Sequence, residues 1–444
     1  MSIDRAPSRS ALKAIRFGYG LPGPSERLGL LALPDRTTVS ELARRFRRIR
    51  QSNADTPADR QARRDTRIEL LRTIGGQARL AVARAVSAEN DYEERLVQFW
   101  ADHFTLSFSQ LESLTFTHFF IEEAIRPHIS GYFSDMLKAS TKHPAMLFYL
   151  DQTTSMGPNS FIAKRRPGRG LNENLAREVL ELHSLGVGGG YSQADVTELA
   201  KLFTGLSARR SDLAFEFRPA LEEPGAETVL GRRYGGGAGA SVKDIDAVLD
   251  DLSVHPETAR HIARKLAVHF VSDTPSDELV ADLAALYRLK DGYLPDLYRA
   301  LAAHPEARRH FGAKAKPPFD FVVSGLRALG VTGSDVLQMD LRLMRRAITE
   351  PMDRMGQPWR RPPGPDGWPE EFSAWITPQG VAERVNWALN APKLFGLTEV
   401  DPLEVATRAL GELASDNLIW AAPKAETRAQ GVALVLASPE FNRR

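Results

Sequence analysis

The sequence predicts a mainly α-helical protein, a multi-helical single body with at most one short β-hairpin near residues 213–234. Three observations carry that reading. Apolar residues recur at three- and four-residue spacing, alternating stretches are scarce, and proline repeatedly stands just ahead of an apolar-periodic run. Segments 91–104, 115–140, 257–272, 319–330, 334–348 and 377–390 all have the helical period. Only "LAFEFRP" and "ETVLGRRY", within 213–234, alternate weakly, as one hairpin would. "HPAM" at 143, "HPET" at 255, "HPEA" at 304 and "SPEF" at 438 put proline at a first helical position, where its missing N–H would be unpaired anyway. His143, His255, His304 and Ser438 are then caps, or the residue before a cap.

The chain of 444 residues reads as one mostly helical domain. Within it lie an N-terminal helical region (1–90), a motif-rich stretch (91–207), a hairpin and loop region (208–245) and a C-terminal helical region (246–444). "IAKRRPGRG" (162–170), "GGGAGAS" (235–241) and "WRRPPGPDGWPEE" (359–371) lack periodicity and read as loops inside that body.

Composition excludes several classes of function. A net charge of +2 supplies no field that would draw nucleic acid. The absence of cysteine removes disulfides, thiol nucleophiles and thiolate metal sites. No run of 18 apolar residues would span a membrane, and residues 1–25 hold no secretory apolar core, so the expected location is cytoplasmic. No serine–histidine–acid order, H-E-x-x-H, dinucleotide fingerprint or nucleic-acid module is present.

Chemistry concentrates in "NENLAREVLELHSLGVGGGYSQADVTELAKLFTG" (172–205). Asn172 is placed to cap a helix whose first turn carries Glu173. At 100° per residue, Asn174, Glu178, Glu181 and Leu185 share one narrow stripe, with Arg177 beside it and within reach of Glu181 at i,i+4. His183 falls in the middle of the opposite, apolar arc, so one helix cannot bring it to the glutamates. The stripe is either a solvated face or the lining of a polar cleft, where Glu178 and Glu181 would hold a divalent ion or share acid–base work. The glycine run follows a helix and lacks the lysine–serine/threonine pair of a phosphate loop. It reads instead as a helix stop at Gly186 or Gly188, then a cap at Ser192 with Asp195 as its capping-box partner.

In the 91–104 helix, His103 groups with Tyr92, Leu96, Phe99 and Trp100, while Glu94, Arg95, Gln98 and Asp102 take the other side. His103 is either a hydrogen-bonded core residue or a desolvated acid, base or neutral metal ligand. Asp151, just past an apolar helix, either caps the next turn or faces a pocket. Lys164, Arg165, Arg166 and Arg169 form a basic loop, either solvated or anion-binding.

Several blocks together resemble the bacterial domain of unknown function 1800 family. They are "RFGYG" (16–20), "ERLVQFWADHFTLS" (94–107), "AIRPHISGYFSDMLKASTKHPAMLFYLD" (124–151), the 172–207 stretch, "HPETARHIARKLAVHFVSD" (255–273), "KPPFDFVVSGLRALG" (316–330) and "PPGPDGWPEEFSAWITPQGVAERVNWAL" (362–389). The resemblance implies a largely helical bacterial protein with no activity firmly attached, often exported and often encoded near a sulfatase-like companion, which is the protein partner it suggests. Its motif residues carry over as Trp100, His103, Asp151, Asn172, Glu173, Asn174, Arg177, Glu178, Glu181 and His183. Where members commonly read a histidine–aspartate pair and a lysine, this chain has Glu222, Glu223 and Glu227; if that histidine is a ligand or base in relatives, Glu222 would have to replace it here, or the activity would be lost or altered.

Two functions follow as expectations. The first is a metal-dependent hydrolase with its site between the 94–104 and 172–185 helices. Glu178, Glu181, Arg177 and Asp151 would be catalytic, and His103, Glu178, Glu181 and His183 would be ligands to a divalent metal. The second is a non-catalytic helical scaffold that assists a partner through a buried polar network.

Overall fold

The computed structural model describes residues 7–23, 26, 28–29, 31–52, 56–165, 170–236 and 239–444, and those residues are predominantly helical. The longest helix, Pro57–Ser87, opens with a capping box between Thr56 and Asp59. Proline at a helix start recurs as the sequence suggests. His143, His255 and His304 each accept a backbone N–H on Nδ1 (3.1, 3.2 and 3.3 Å), and Ser438 accepts one on Oγ (3.1 Å). These three histidines are caps, which is work for an imidazole acceptor and not for a base.

The strand region differs from the expected arrangement. Two separate antiparallel hairpins form, each between neighbouring segments: β1 (Leu206–Arg209) with β2 (Ala214–Phe217), and β3 (Ala226–Val229) with β4 (Arg232–Gly235). Leu230 and Gly231 join β3 to β4 with φ of 49° and 77°, the positive pair that a two-residue loop matched to strand twist requires. That tight turn closes locally, so "ETVLGRRY" has no need of the 213–217 segment.

The apolar residues collect into two cores. The first runs from Leu12 to Ala307 and is centred on Trp100, Phe104 and Phe133; the second is built mainly from residues 319–441 around Trp387 and Phe321. Both draw on the N-terminal segment and on the long helix. Phe17 serves the first core and Tyr19 the second; Ile74 packs on the first, and Val82 and Val86 lie in the second. The Asp91–His103 helix lies where the two meet. Its aromatic side enters the first core, where the Trp100 indole donates to the Tyr298 hydroxyl (2.6 Å). Its polar side turns to the junction.

Candidate functional site

A cleft of about 860 Å3, its open mouth included, occupies the junction. Its floor is the polar face of the Asp91–His103 helix: Arg95, Gln98 and Asp102, at i, i+3 and i+7. The Pro318–Leu329 helix supplies Phe319 and Asp320. The strap from Gln357 to Trp375 closes the third side with Trp359, Arg360, Trp368 and Glu370.

The strap is pinned at intervals. Phe319 N–H donates to the Gln357 side chain (2.7 Å), Ser107 Oγ donates to Pro362 O (2.8 Å), and Trp375 Nε1 donates to Pro369 O (2.9 Å). Trp368 N–H donates to the Asp102 carboxyl, 3.1 Å from each oxygen. Gly367 (φ 89°) makes this approach feasible, because a Cβ there would sit 2.7 Å from Asp102 Oδ2.

Asp102 is half-buried, and burial pushes its carboxyl up to about 7; the charge on Glu370 adds to the shift, while Lys265 and Arg360 oppose it. Glu370 goes the other way. Burial alone would raise it, but His269 at 2.6 Å, Lys314 at 3.4 Å and Arg444 hold it below the usual range. His269 has its Nδ1 against Glu370 and its Nε2 3.3 Å from Arg95 Nη2, so both ring nitrogens are occupied. Two carboxylates of opposite tendency thus share one cleft, an arrangement that separates a proton donor from a fixed negative charge.

Beneath them lies a dense ion network. Asp320 takes Arg95 at 3.4 Å and also Arg444. Arg95 donates to Arg16 O (2.5 Å) and lies over the Phe270 ring at 4.9 Å. Arg360 behaves differently. Its φ is 52°, a strained value for a residue with a side chain. Among the described residues its guanidinium has no ion-pair or hydrogen-bond partner and lies 4.9 Å from the centre of the Trp359 ring. Burial lowers it to about 10, against the pull of Tyr19, Asp102 and Glu94.

The residues singled out from sequence lie on the far side of this helix and beyond, and they do not converge on one point. His103 and His183 are 3% and 2% exposed, with ring centres 6.2 Å apart. His103 Nε2 is 3.1 Å from His183 O, and Phe104 lies beside both rings. Burial holds His103 well below its ordinary value and His183 at about 3, with His261 and Lys265 adding to both shifts. The helix carrying the glutamates is α over Asn174–Glu178 and passes into a π-turn, Val179–His183, where Ser184 Oγ donates to Val179 O five residues back.

Glu178 is half-buried and turned toward Asp366 of the strap. Burial, then Glu181 and Asp366, push it up to about 7. Glu181 meets Arg177 (3.4 Å), which also reaches Glu173 (3.3 Å) and Gln193 (2.9 Å). Glu178 therefore faces protein, both Asp366 of the strap and Tyr149 at the end of the Pro144–Tyr149 helix, and among the described residues no histidine pairs with it or with Glu181. Among the described residues no group of three or more histidine, aspartate or glutamate side chains is arranged to hold a metal ion.

Asp151 is exposed at φ 54° and heads the Gln152–Thr154 turn, its carbonyl accepting from Thr154 N–H (3.1 Å). Asn172 ties Leu150 O, Ser155 Oγ and Asn174 N–H together (2.9, 3.0 and 2.9 Å). Glu223 accepts from Asn159 N–H (2.8 Å), Glu222 stands next to Gly239, and Glu227 is buried beside Glu198; none of these three lines the cleft. Lys164 and Arg165 are exposed, with Arg165 over the Phe161 ring, while Arg166 and Arg169 fall outside the described residues.

Sequence reasoning passed over Arg95, Asp102, His269, Asp320, Arg360 and Glu370. A signal was present: Arg95, Gln98 and Asp102 recur at helical spacing opposite an aromatic face, and the tryptophan- and proline-rich 359–371 loop had no assigned partner.

Fold and cleft together define a mainly helical protein whose two cores meet at a cleft lined by Asp102, its carboxyl raised by burial, and by Arg360, which has no ion-pair partner among the described residues. The chain belongs to the family described as Protein of unknown function (DUF1800), which matches residues 16–443. No curated protein and no solved structure matches it. Among the described residues, no helix is long and apolar enough to cross a membrane.

Proposed function

We propose that the chain is a hydrolase working by general-acid catalysis in the junction cleft. Asp102, about half protonated at neutral pH, gives its proton to the leaving-group atom as the scissile bond breaks. Water adds to the other fragment and returns a proton to the carboxylate. Glu370 stays ionised and fixes the His269 ring. The aromatic walls exclude bulk water and seat an apolar body. The observation that carries the reading is a half-buried carboxyl with a raised pKa beside an unpaired guanidinium in one open cleft.

The test is a carboxyl-carbon NMR titration of the wild type and Asp102→Asn, with turnover of nitrophenyl esters and glycosides over pH 5–9. One resonance should titrate near pH 7 and vanish in the variant. Turnover should fall above that pH and drop at least about a hundredfold in Asp102→Asn. An Asp102 carboxyl titrating near 4, or a variant as active as the wild type, removes the proposal.

A structural reading is favoured for the 172–185 motif by a different observation. Glu173 is held by Arg177, Gln193 and Thr197, and so clamps one helix onto the next. That network is half-exposed, and the Arg177–Glu181 pair has 40% and 29% of its side chains in solvent. Glu181→Ala is accordingly expected to cost well under 1 kcal/mol in a urea melt, whereas a scaffold that depended on Glu181 would lose several.

A further inference from the structure

The cleft does not end at Arg360. A second, smaller hollow of about 400 Å3, its open mouth included, lies beyond it, and Gln98, Thr117, Trp359 and Arg360 line both, forming a waist between them. Three of these carry polar groups that no described residue satisfies. The Thr117 hydroxyl is unpartnered in a residue only 7% exposed, and the Gln98 amide and the Arg360 guanidinium have no partner either. A buried hydroxyl left without a partner is costly, so such a group in a lined waist points to something that completes it.

The charge around the waist states what that is. Arg84 pairs with Glu122 (2.5 Å), and Arg126 pairs with Glu94 (2.7 and 2.9 Å) and Glu122 (3.4 Å). Two arginines are matched by two glutamates, and Arg360 is the positive charge left over while Asp102, the carboxyl that shares the larger chamber with it, keeps its proton. A monoanion balances it; a dianion would leave one negative charge in a poorly hydrated site. A planar guanidinium, an amide and a hydroxyl suit a carboxylate, which can accept from all three. On the larger chamber's side stand two aromatic pairs, Phe319 with Trp359 and Trp368 with Trp375, with ring centres 6.2 and 6.1 Å apart.

We propose that the waist formed by Gln98, Thr117, Trp359 and Arg360 receives the carboxylate of an aromatic carboxylic acid, with the ring lying against the tryptophan-lined walls. This rests on reading the cleft as the substrate site, with Asp102 carrying its proton at the pH of the test so that it does not itself balance Arg360.

Calorimetric titration of the full chain at pH 6 with benzoate, phenylacetate, benzamide and inorganic phosphate tests it. At least one of the two acids should bind saturably, while benzamide and phosphate do not. Arg360→Met should weaken the acid at least about tenfold, and Thr117→Val about three- to tenfold, with both variants melting near the wild type. Tighter binding of phosphate, no saturable binding of either acid up to ~10 mM, or an affinity unchanged in Arg360→Met overturns the proposal. Asp102→Asn should keep the acid's affinity. An Asp102→Asn variant as active as the wild type, with binding still dependent on Arg360, would therefore fell the general-acid reading and leave this one standing, and an inactive Asp102→Asn with Arg360 irrelevant to binding would do the reverse.

Discussion

Asp320→Ala is expected to destabilise the protein by about 3–5 kcal/mol, the loss typical of removing one partner from a buried ion pair. Asp320 is 8% exposed, and the guanidiniums that it holds, Arg95 and Arg444, are each 1% exposed. Without its carboxylate, several cations share a dry interior. Lys316 is already pushed down to about 7 by burial, with Arg444, Arg384 and Arg95 adding to the shift and Asp320 its one counterweight. Removing that counterweight favours the neutral amine further, so the variant's deficit should shrink as pH rises toward about 7 and level off above it. Asp320→Asn should lose less than the alanine variant, because an amide oxygen still accepts from Arg444. Urea unfolding at pH 7 measures both, and a loss below about 1 kcal/mol for the alanine variant would mean that water reaches these guanidiniums.

Asp102→Asn is expected to gain about 2–3 kcal/mol of stability relative to wild type between pH 5 and pH 8. The folded-state pKa of Asp102, about 7, lies above the ordinary 3.8, so the native state holds an extra proton between those values. Stability from this group is present in acid and lost as pH rises from about 4 through 7, where a desolvated charge must form. Asparagine abolishes that cost, so the difference between variant and wild type should grow with pH over this window and level off above it. Buried histidines slope the opposite way. His183 and His261, lowered to about 3 and 4, cost stability as pH falls below 6.5, because only the unfolded chain takes up their protons. The variant-minus-wild-type difference cancels them. A difference that is flat from pH 5 to 8 would place Asp102 in open water.

Much of the helical framework was legible because its signals are local. A proline with a histidine or serine before it marks a helix start through bonds spanning two or three residues, and Ser192 with Asp195 forms its capping box within one turn. The burial of His103 and His183 followed from helical projection alone. The π-turn at Val179–His183 and the separate closure of two hairpins were less visible, since each turns on a backbone detail of one or two residues.

The candidate site was legible only in pieces. Arg95, Gln98 and Asp102 could be placed on one helix face, yet nothing local says whether such a face meets water or a tryptophan-rich strap some 260 residues away in the chain. Glu178 illustrates the same limit: its position on a polar stripe was readable, and its neighbour Asp366 was not.

The chain's own order of residues therefore determined that it is helical, where many helices begin, which faces are apolar and which family it belongs to. Tertiary structure alone decided that two cores meet along the Asp91–His103 helix. It decided too that Asp102 is half-buried there, and that Arg360 has no ion-pair partner among the described residues. Helix caps and apolar stripes are set by neighbours within a few residues, whereas desolvation and charge balance are sums over every segment that packs around a point.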